Sequence, residues 1–189
     1  MEWINPAEVF GRIMVEYCYP ECTTAVVTAL CAFRERFPGY RRPEVDRGIL
    51  RGGEWVHSDQ REDGSWYGSW GICFTYAGMF AMECLASLGE TYENSESQRR
   101  ACGFLVGHQN EDGGWGESYM SCELGVYTEH DDGSQVVNTA WALLGLMYAK
   151  YPDKDVLRRG VKVNCDRPFA DGSYSLTGNK RMENGFKKV

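Results

Sequence analysis

Arg51-Gly52-x-x-Trp55-Val56-x-x-x-Gln60-x-x-x-Gly64-x-Trp66 is a pattern that this 189-residue chain uses twice. It returns as Arg100-Ala101-x-x-Phe104-Leu105-x-x-x-Gln109-x-x-x-Gly113-x-Trp115. A worn third copy keeps Arg159-Gly160-x-x-Val163 and Gly172-x-Tyr174, with Pro168 where the glutamine should stand. The copies are 49 and 59 residues apart. Recurrence at such a period marks stacked supersecondary units, each unable to bury its apolar face alone.

Arg51, Trp55 and Val56, like Arg100, Phe104 and Leu105, sit at helical spacing, so the first half of each copy is the end of a helix with an apolar face. Asp63-Gly64 and Asp112-Gly113 then force a turn, because glycine accepts a positive φ without a Cβ clash. The tryptophan two places on is expected to lie back over the helix it has just left. The amides of Gln60 and Gln109 are expected to donate to, and accept from, the loop backbone near the orphan carbonyls of the helix end. Gln60, Gly64, Trp66, Gln109, Gly113 and Trp115 are therefore structural residues that tie each helix to the segment after it.

A hydrophobic share of 43% with 13% aromatics fits a globular chain with a real core. A net charge of −7 and a pI near 5.1 argue against nucleic acid as a partner. No apolar run reaches the roughly 18 residues of a membrane span, and Met1-Glu2-Trp3-Ile4-Asn5-Pro6 has neither the basic nor the apolar part of a signal peptide. None of the eight cysteines forms a C-x-x-C pair, and most fall in apolar helical contexts. They read as free thiols in a reduced, cytosol-facing protein. Cys18 and Cys22 could share a helical face, but no histidine is near them in sequence and a zinc site is the weaker interpretation.

The pattern predicts a loop over 1–19, then three helix pairs at about 20–59, 72–109 and 134–167 in a domain running to 179, and a divergent tail over 180–189, expected to be disordered. The first helix starts at Pro20-Glu21 and ends at Pro38-Gly39, with Cys22, Ala25, Val26, Ala29, Leu30 and Phe33 as its apolar stripe. The second starts near Pro43-Glu44. The third, from about Ile72 to Leu88, is apolar nearly all round, so both its faces should be covered. The fourth starts near Ser95, the loop from Gly116 to Gly133 is acidic and irregular, the fifth helix spans Ser134 to Lys150, and the sixth starts at Pro152-Asp153. Within each pair the first helix is the more apolar, as expected for an inner ring backed by an outer one. The fold class is all-α: part of an α/α toroid, an arc of three pairs with apolar open flanks, needing about twice as many pairs to close.

The Gln/Trp units, the run Gly68-Ser69-Trp70-Gly71-Ile72-Cys73-Phe74-Thr75-Tyr76 and the triplet Glu21-Cys22-Thr23 together resemble the oxidosqualene cyclases, among which the eukaryotic lanosterol synthases look nearest. The resemblance runs to about residue 179. It implies a double α/α toroid, six helix pairs to a barrel, bound to one leaflet of the endoplasmic reticulum or lipid-droplet membrane. It also implies conversion of (3S)-2,3-oxidosqualene to lanosterol or a related tetracyclic skeleton, without metal or organic cofactor. An aspartic acid in an Asp-Cys-Thr-Ala-Glu motif protonates the epoxide in that family, and aromatic faces hold the carbocations. Trp70 matches the tryptophan that faces a cationic centre, with glycines close by on either side. Cys22 matches the cysteine that donates a hydrogen bond to the catalytic Asp. Glu21-Cys22-Thr23-Thr24-Ala25 is not the acid motif, which is absent, so the chain alone is expected to be inactive. After Asn179 the chain departs from the family into a basic tail.

Three alternatives stay open at this stage. A helical-repeat module could bind an apolar ligand or a protein through its open arc without catalysis. A squalene-hopene-type cyclase piece would carry the same Gln/Trp units. A protein prenyltransferase β-subunit is disfavoured, because His57, His108 and His130 lack a suitable cysteine pattern.

Overall fold

The computed structural model describes residues 18–68 and 72–167. Over these residues the chain forms α1 (Pro20–Arg36), α2 (Arg42–Asp59), α3 (Thr75–Ser87), α4 (Glu96–Gly107), the short α5 (Met120–Leu124), α6 (Val136–Tyr148) and α7 (Lys154–Asp166). No strand is present among the described residues, and no helix there is long and apolar enough to cross a membrane. Trp70, Pro168, Gly172, Tyr174 and the 180–189 tail lie outside the described residues.

Local chemistry sets most helix starts. Pro20 occupies the first turn of α1, where its missing N–H costs nothing, and Glu21 beside it suits the positive end of the dipole. Ser95 caps α4 by accepting from the Gln98 amide at 3.3 Å. Asp153 caps α7 by accepting from Asp155 and Val156 at 2.9 and 3.4 Å.

Helices α1, α3 and α6 lie side by side with α3 in the middle; α2 backs α1, α7 backs α6, and α4 packs on α3 and α6. Met82 and Leu85 of α3, Leu105 of α4, and Ala142 and Leu146 of α6 are buried where these helices meet. A Cβ on Gly145 would come within 2.9 Å of the Met82 sulfur, so the glycine lets α6 close on α3.

Three expectations need correction. The stripe assigned to α1 is largely turned outward. Thr24, Val27 and Cys31 are buried, whereas Cys22, Ala25, Val26 and Ala29 are exposed. The helix has two apolar faces, and only one meets α2 and α3. Helix α3 begins at Thr75 rather than near Ile72, because the amides of Cys73, Phe74 and Thr75 are taken by a distant carboxylate, Glu117. The 116–133 segment is ordered: it holds α5 and a bridge pairing Glu117 with Glu129, with Ser118 donating to the Thr128 carbonyl at 2.8 Å.

The repeat itself is a clamp. The indole N–H of Trp66 donates to the Val56 carbonyl at 2.8 Å, and that of Trp115 to Leu105 at 2.6 Å. Gln60 Nε2 donates to Gly64 O at 3.0 Å and to Ser97 O at 2.9 Å. Gln109 Nε2 donates to Gly113 O at 2.8 Å and to Val156 O at 2.9 Å. Ser97 and Val156 stand in the first turns of α4 and α7, so each unit reaches forward to the next outer helix. The glutamine oxygens do not accept from the loop backbone as expected. Gln109 Oε1 takes the Arg159 guanidinium, and Gln60 Oε1 has no partner among the described residues. Both tryptophans are fully buried, which at ~25 cal/mol per Å2 and about 150–250 Å2 each contributes roughly 4–6 kcal/mol as an upper bound. An indole hydrogen bond adds about 1 kcal/mol net. Burial supplies the stability; the N–H bond decides which way the ring points.

Gly64 and Gly113 hold φ of +91° and +94°, and each lies against the repeat arginine of the next outer helix. A Cβ on Gly113 would fall 2.5 Å from Arg159 Cβ and 2.9 Å from its carbonyl carbon. Gly113→Ala should therefore destabilise the chain by about 1–3 kcal/mol. Gly103→Ala, in α4 with open space around it, should stabilise by up to about 1 kcal/mol. Urea midpoints of the two variants check the contrast; equal shifts would mean the joint is not close-packed.

Candidate active-site sector

Cys22 sits in the first turn of α1, free and exposed, as are Cys18 just before the helix and Cys165 in α7. Cys18 is not helical, so it shares no helical face with Cys22. The neighbour of Cys22, Glu21, accepts a hydrogen bond from the hydroxyl of Tyr76, in the first turn of α3. Gly68 closes over this pair: a Cβ there would stand 2.6 Å from the Tyr76 oxygen and 2.9 Å from Glu21 Oε1. That contact is a physical reason for a glycine two places before Trp70. Asp59, at the end of α2, belongs to the same neighbourhood. Burial pushes its carboxyl above the usual value, and the charge of Glu21 pushes the same way.

Aromatic side chains of α3 and α6 adjoin this group. The Tyr76 ring lies 5.9 Å from Phe80, edge-on, and 5.7 Å from Trp141. Phe80 and Trp141 are half-buried, so part of each ring is left uncovered. The structure thus brings Glu21, Gly68 and Tyr76 to one place with Asp59 close enough to feel the charge of Glu21, and exposed Cys22 follows Glu21 in the chain. Gln60 follows Asp59 and Trp66 lies two places before Gly68 in the chain, whereas Gln109 and Trp115 belong to the next turn, after α4.

Glu117 escaped the sequence analysis. It is fully buried, two residues after Trp115. Its Oε1 accepts from the amides of Cys73 at 2.8 Å and Phe74 at 2.9 Å. Its Oε2 accepts from the Thr75 amide at 2.7 Å and the Thr75 hydroxyl at 2.6 Å. Burial pushes this carboxyl above its usual range, and the hydrogen bonds from Thr75, Phe74 and Cys73 draw it back down. Its sequence signal was an acid two places after a repeat tryptophan, where the first copy has Gly68.

Comparison with known proteins places this geometry. The fold aligns with ent-copalyl diphosphate synthase from Streptomyces platensis at a TM-score of 0.66 and 20% identity, over 89% of this chain and 31% of that one. The class is thus an α/α-toroid sector. The model of the squalene-hopene cyclase C-terminal domain matches residues 12–189, and the chain belongs to that family. Lanosterol synthases are similar to it: that of Pneumocystis carinii is 55% identical over 92% of the chain, that of Saccharomyces cerevisiae 52% over 93%, and that of Homo sapiens 44% over 92%. The chain spans about a quarter of the length of these relatives, 24% in each case.

Behind Glu117, His108 stacks on Tyr127 with ring centres 4.0 Å apart and meets Phe104 at 4.8 Å. Burial lowers its pKa, against the pull of Glu129 and Asp63. The folded state therefore resists protonation that the unfolded chain accepts near pH ~6.5. This contribution is present above that pH and lost as pH falls towards 5. The stability difference between the wild type and His108→Gln should shrink from pH 8 to pH 5 in urea titrations; a difference independent of pH would refute the assignment.

Proposed function

We propose that this chain is a sector of a sterol-forming cyclase, one that converts (3S)-2,3-oxidosqualene to lanosterol or a related tetracyclic triterpene by a proton-initiated carbocation cascade. The supporting observation is 52% and 55% identity to two lanosterol synthases across nearly the whole chain. Trp70 presents its ring to a cationic centre in this proposal. Cys22 donates a hydrogen bond to the carboxylic acid that starts the cascade, stabilising one oxygen and leaving the other as the acid. Tyr76, Phe80 and Trp141 extend the aromatic wall. A desolvated cation over such a ring gains about 2 kcal/mol. The chemistry needs proton transfer and electrostatic support, not a metal or organic cofactor. The polyene epoxide is apolar, so the proposed setting is one leaflet of the endoplasmic reticulum or lipid-droplet membrane, facing the cytosol.

The chain contains no Asp-Cys-Thr-Ala-Glu motif, so by itself it is expected to form no sterol from oxidosqualene. A chimera in which this chain replaces the matching stretch of the Saccharomyces relative should cyclise the substrate. In that chimera Trp70→Ala should lower kcat by roughly 30-fold, the equivalent of one lost cation–π contact. Sterol made by the isolated chain, or a folded chimera that leaves oxidosqualene untouched, would overturn the proposal.

A further inference from the structure

We infer that Glu117 is a positioning residue for the cyclisation: its carboxylate fixes the first turn of α3, and through it the Tyr76 hydroxyl that donates to Glu21, the residue before Cys22. The inference rests on the function proposed above.

A cap alone does not account for Glu117. Helices α4 and α7 are capped by Ser95 and Asp153 from the adjacent residue, at small cost. Helix α3 has no side-chain cap of its own at Phe74, and receives one from a residue more than 40 positions away, across the repeat. A carboxylate taken wholly out of water is an expensive cap. Its four partners are three backbone amides and a hydroxyl, none of them cationic. What the arrangement provides is definition. Three successive amides converge on one rigid group, and Thr75 is held by both its amide and its side chain.

Glu117 is itself fixed from several sides. Its carbonyl accepts from Asn138 of α6 at 3.4 Å, it bridges to Glu129, and it lies two residues after the buried Trp115. The residue after Thr75 is Tyr76, bonded to Glu21 and in contact with Phe80 and Trp141. Glu117 thus transmits the register of the second Gln/Trp unit to the Tyr76–Glu21 pair. Among the described residues no other side chain is hydrogen-bonded to the amides of residues 73–75.

The chimera described above supplies the test. Glu117→Gln keeps the shape but turns one acceptor into an NH2 group that must face an N–H. Thr75→Val removes a single bond from the same carboxylate and guards against misfolding of the first variant. Both are assayed for kcat, KM, product ratio and melting temperature. The expected result for Glu117→Gln is a fall in kcat of roughly 10- to 100-fold with KM little changed, as for a group misplaced by about an ångström. A larger share of incompletely cyclised products should accompany it, with a smaller change of the same kind in Thr75→Val and partial recovery in Glu117→Asp. A lower melting temperature with unchanged kcat and product ratio in the folded variants would reduce Glu117 to a helix cap and overturn the inference. A folded parent chimera with no sterol product would remove the functional proposal and this inference together.

Discussion

The indole N–H of a buried tryptophan, turned back onto a carbonyl of the helix that precedes it, is the joint on which the arc depends. A pair of helices cannot cover both faces of its inner member. Each pair must lean on the next, and the lean must be fixed in direction. Trp66 and Trp115 provide the apolar mass, while Gln60 and Gln109 stitch the turn to the first turn of the next outer helix. The glycine between them lets two backbones touch: Gly64 meets Arg100, and Gly113 meets Arg159. Bulk, polar satisfaction and close approach are thus assigned to three residues in seven, which is why the same few positions recur while the rest of the sequence drifts.

The same joint explains the open edges. Val26 on α1, Leu144 and Met147 on α6, and Val161 on α7 are exposed to 58%, 40%, 58% and 47%. Large apolar side chains left open on α1, α6 and α7, in a chain spanning a quarter of its relatives' length, are what a sector of a larger ring would present. The helix with neighbours on both sides, α3, buries nine of its thirteen residues.

This division also decides what could be seen in the sequence. The clamp was legible because its chemistry is local: a turn after Asp63 or Asp112, a glycine at positive φ and a tryptophan within reach of its own helix. Its forward half was not, because Ser97 and Val156 offer only carbonyls, which carry no residue identity. The orientation of α1 was misjudged for a related reason. Val26 and Val27 are equally apolar, and only the position of α2 and α3 decides which is buried. Cys22 is singled out by resemblance alone, and nothing in its spacing marks it. Glu117 was invisible to periodicity, since its partners are backbone amides more than 40 residues away. The start of α3 was misplaced by the same omission, as residues 72–74 are apolar enough to continue a helix inward.

Electrostatics at the inner helix ends ties these observations to chemistry. A helix N-terminus carries roughly half a positive charge. In the function proposed above, such ends beside a carbocation would be a liability. Glu21 lies in the first turn of α1, and the Glu117 carboxylate sits on the first amides of α3. Each offsets the positive end where it arises, and the described partners of the Glu117 carboxylate are backbone amides and a hydroxyl. A cationic partner would have satisfied the Glu117 carboxylate equally well, but would have brought back the positive charge. Amides and a hydroxyl satisfy it at the turn that also carries Tyr76, whose ring meets Phe80 and Trp141.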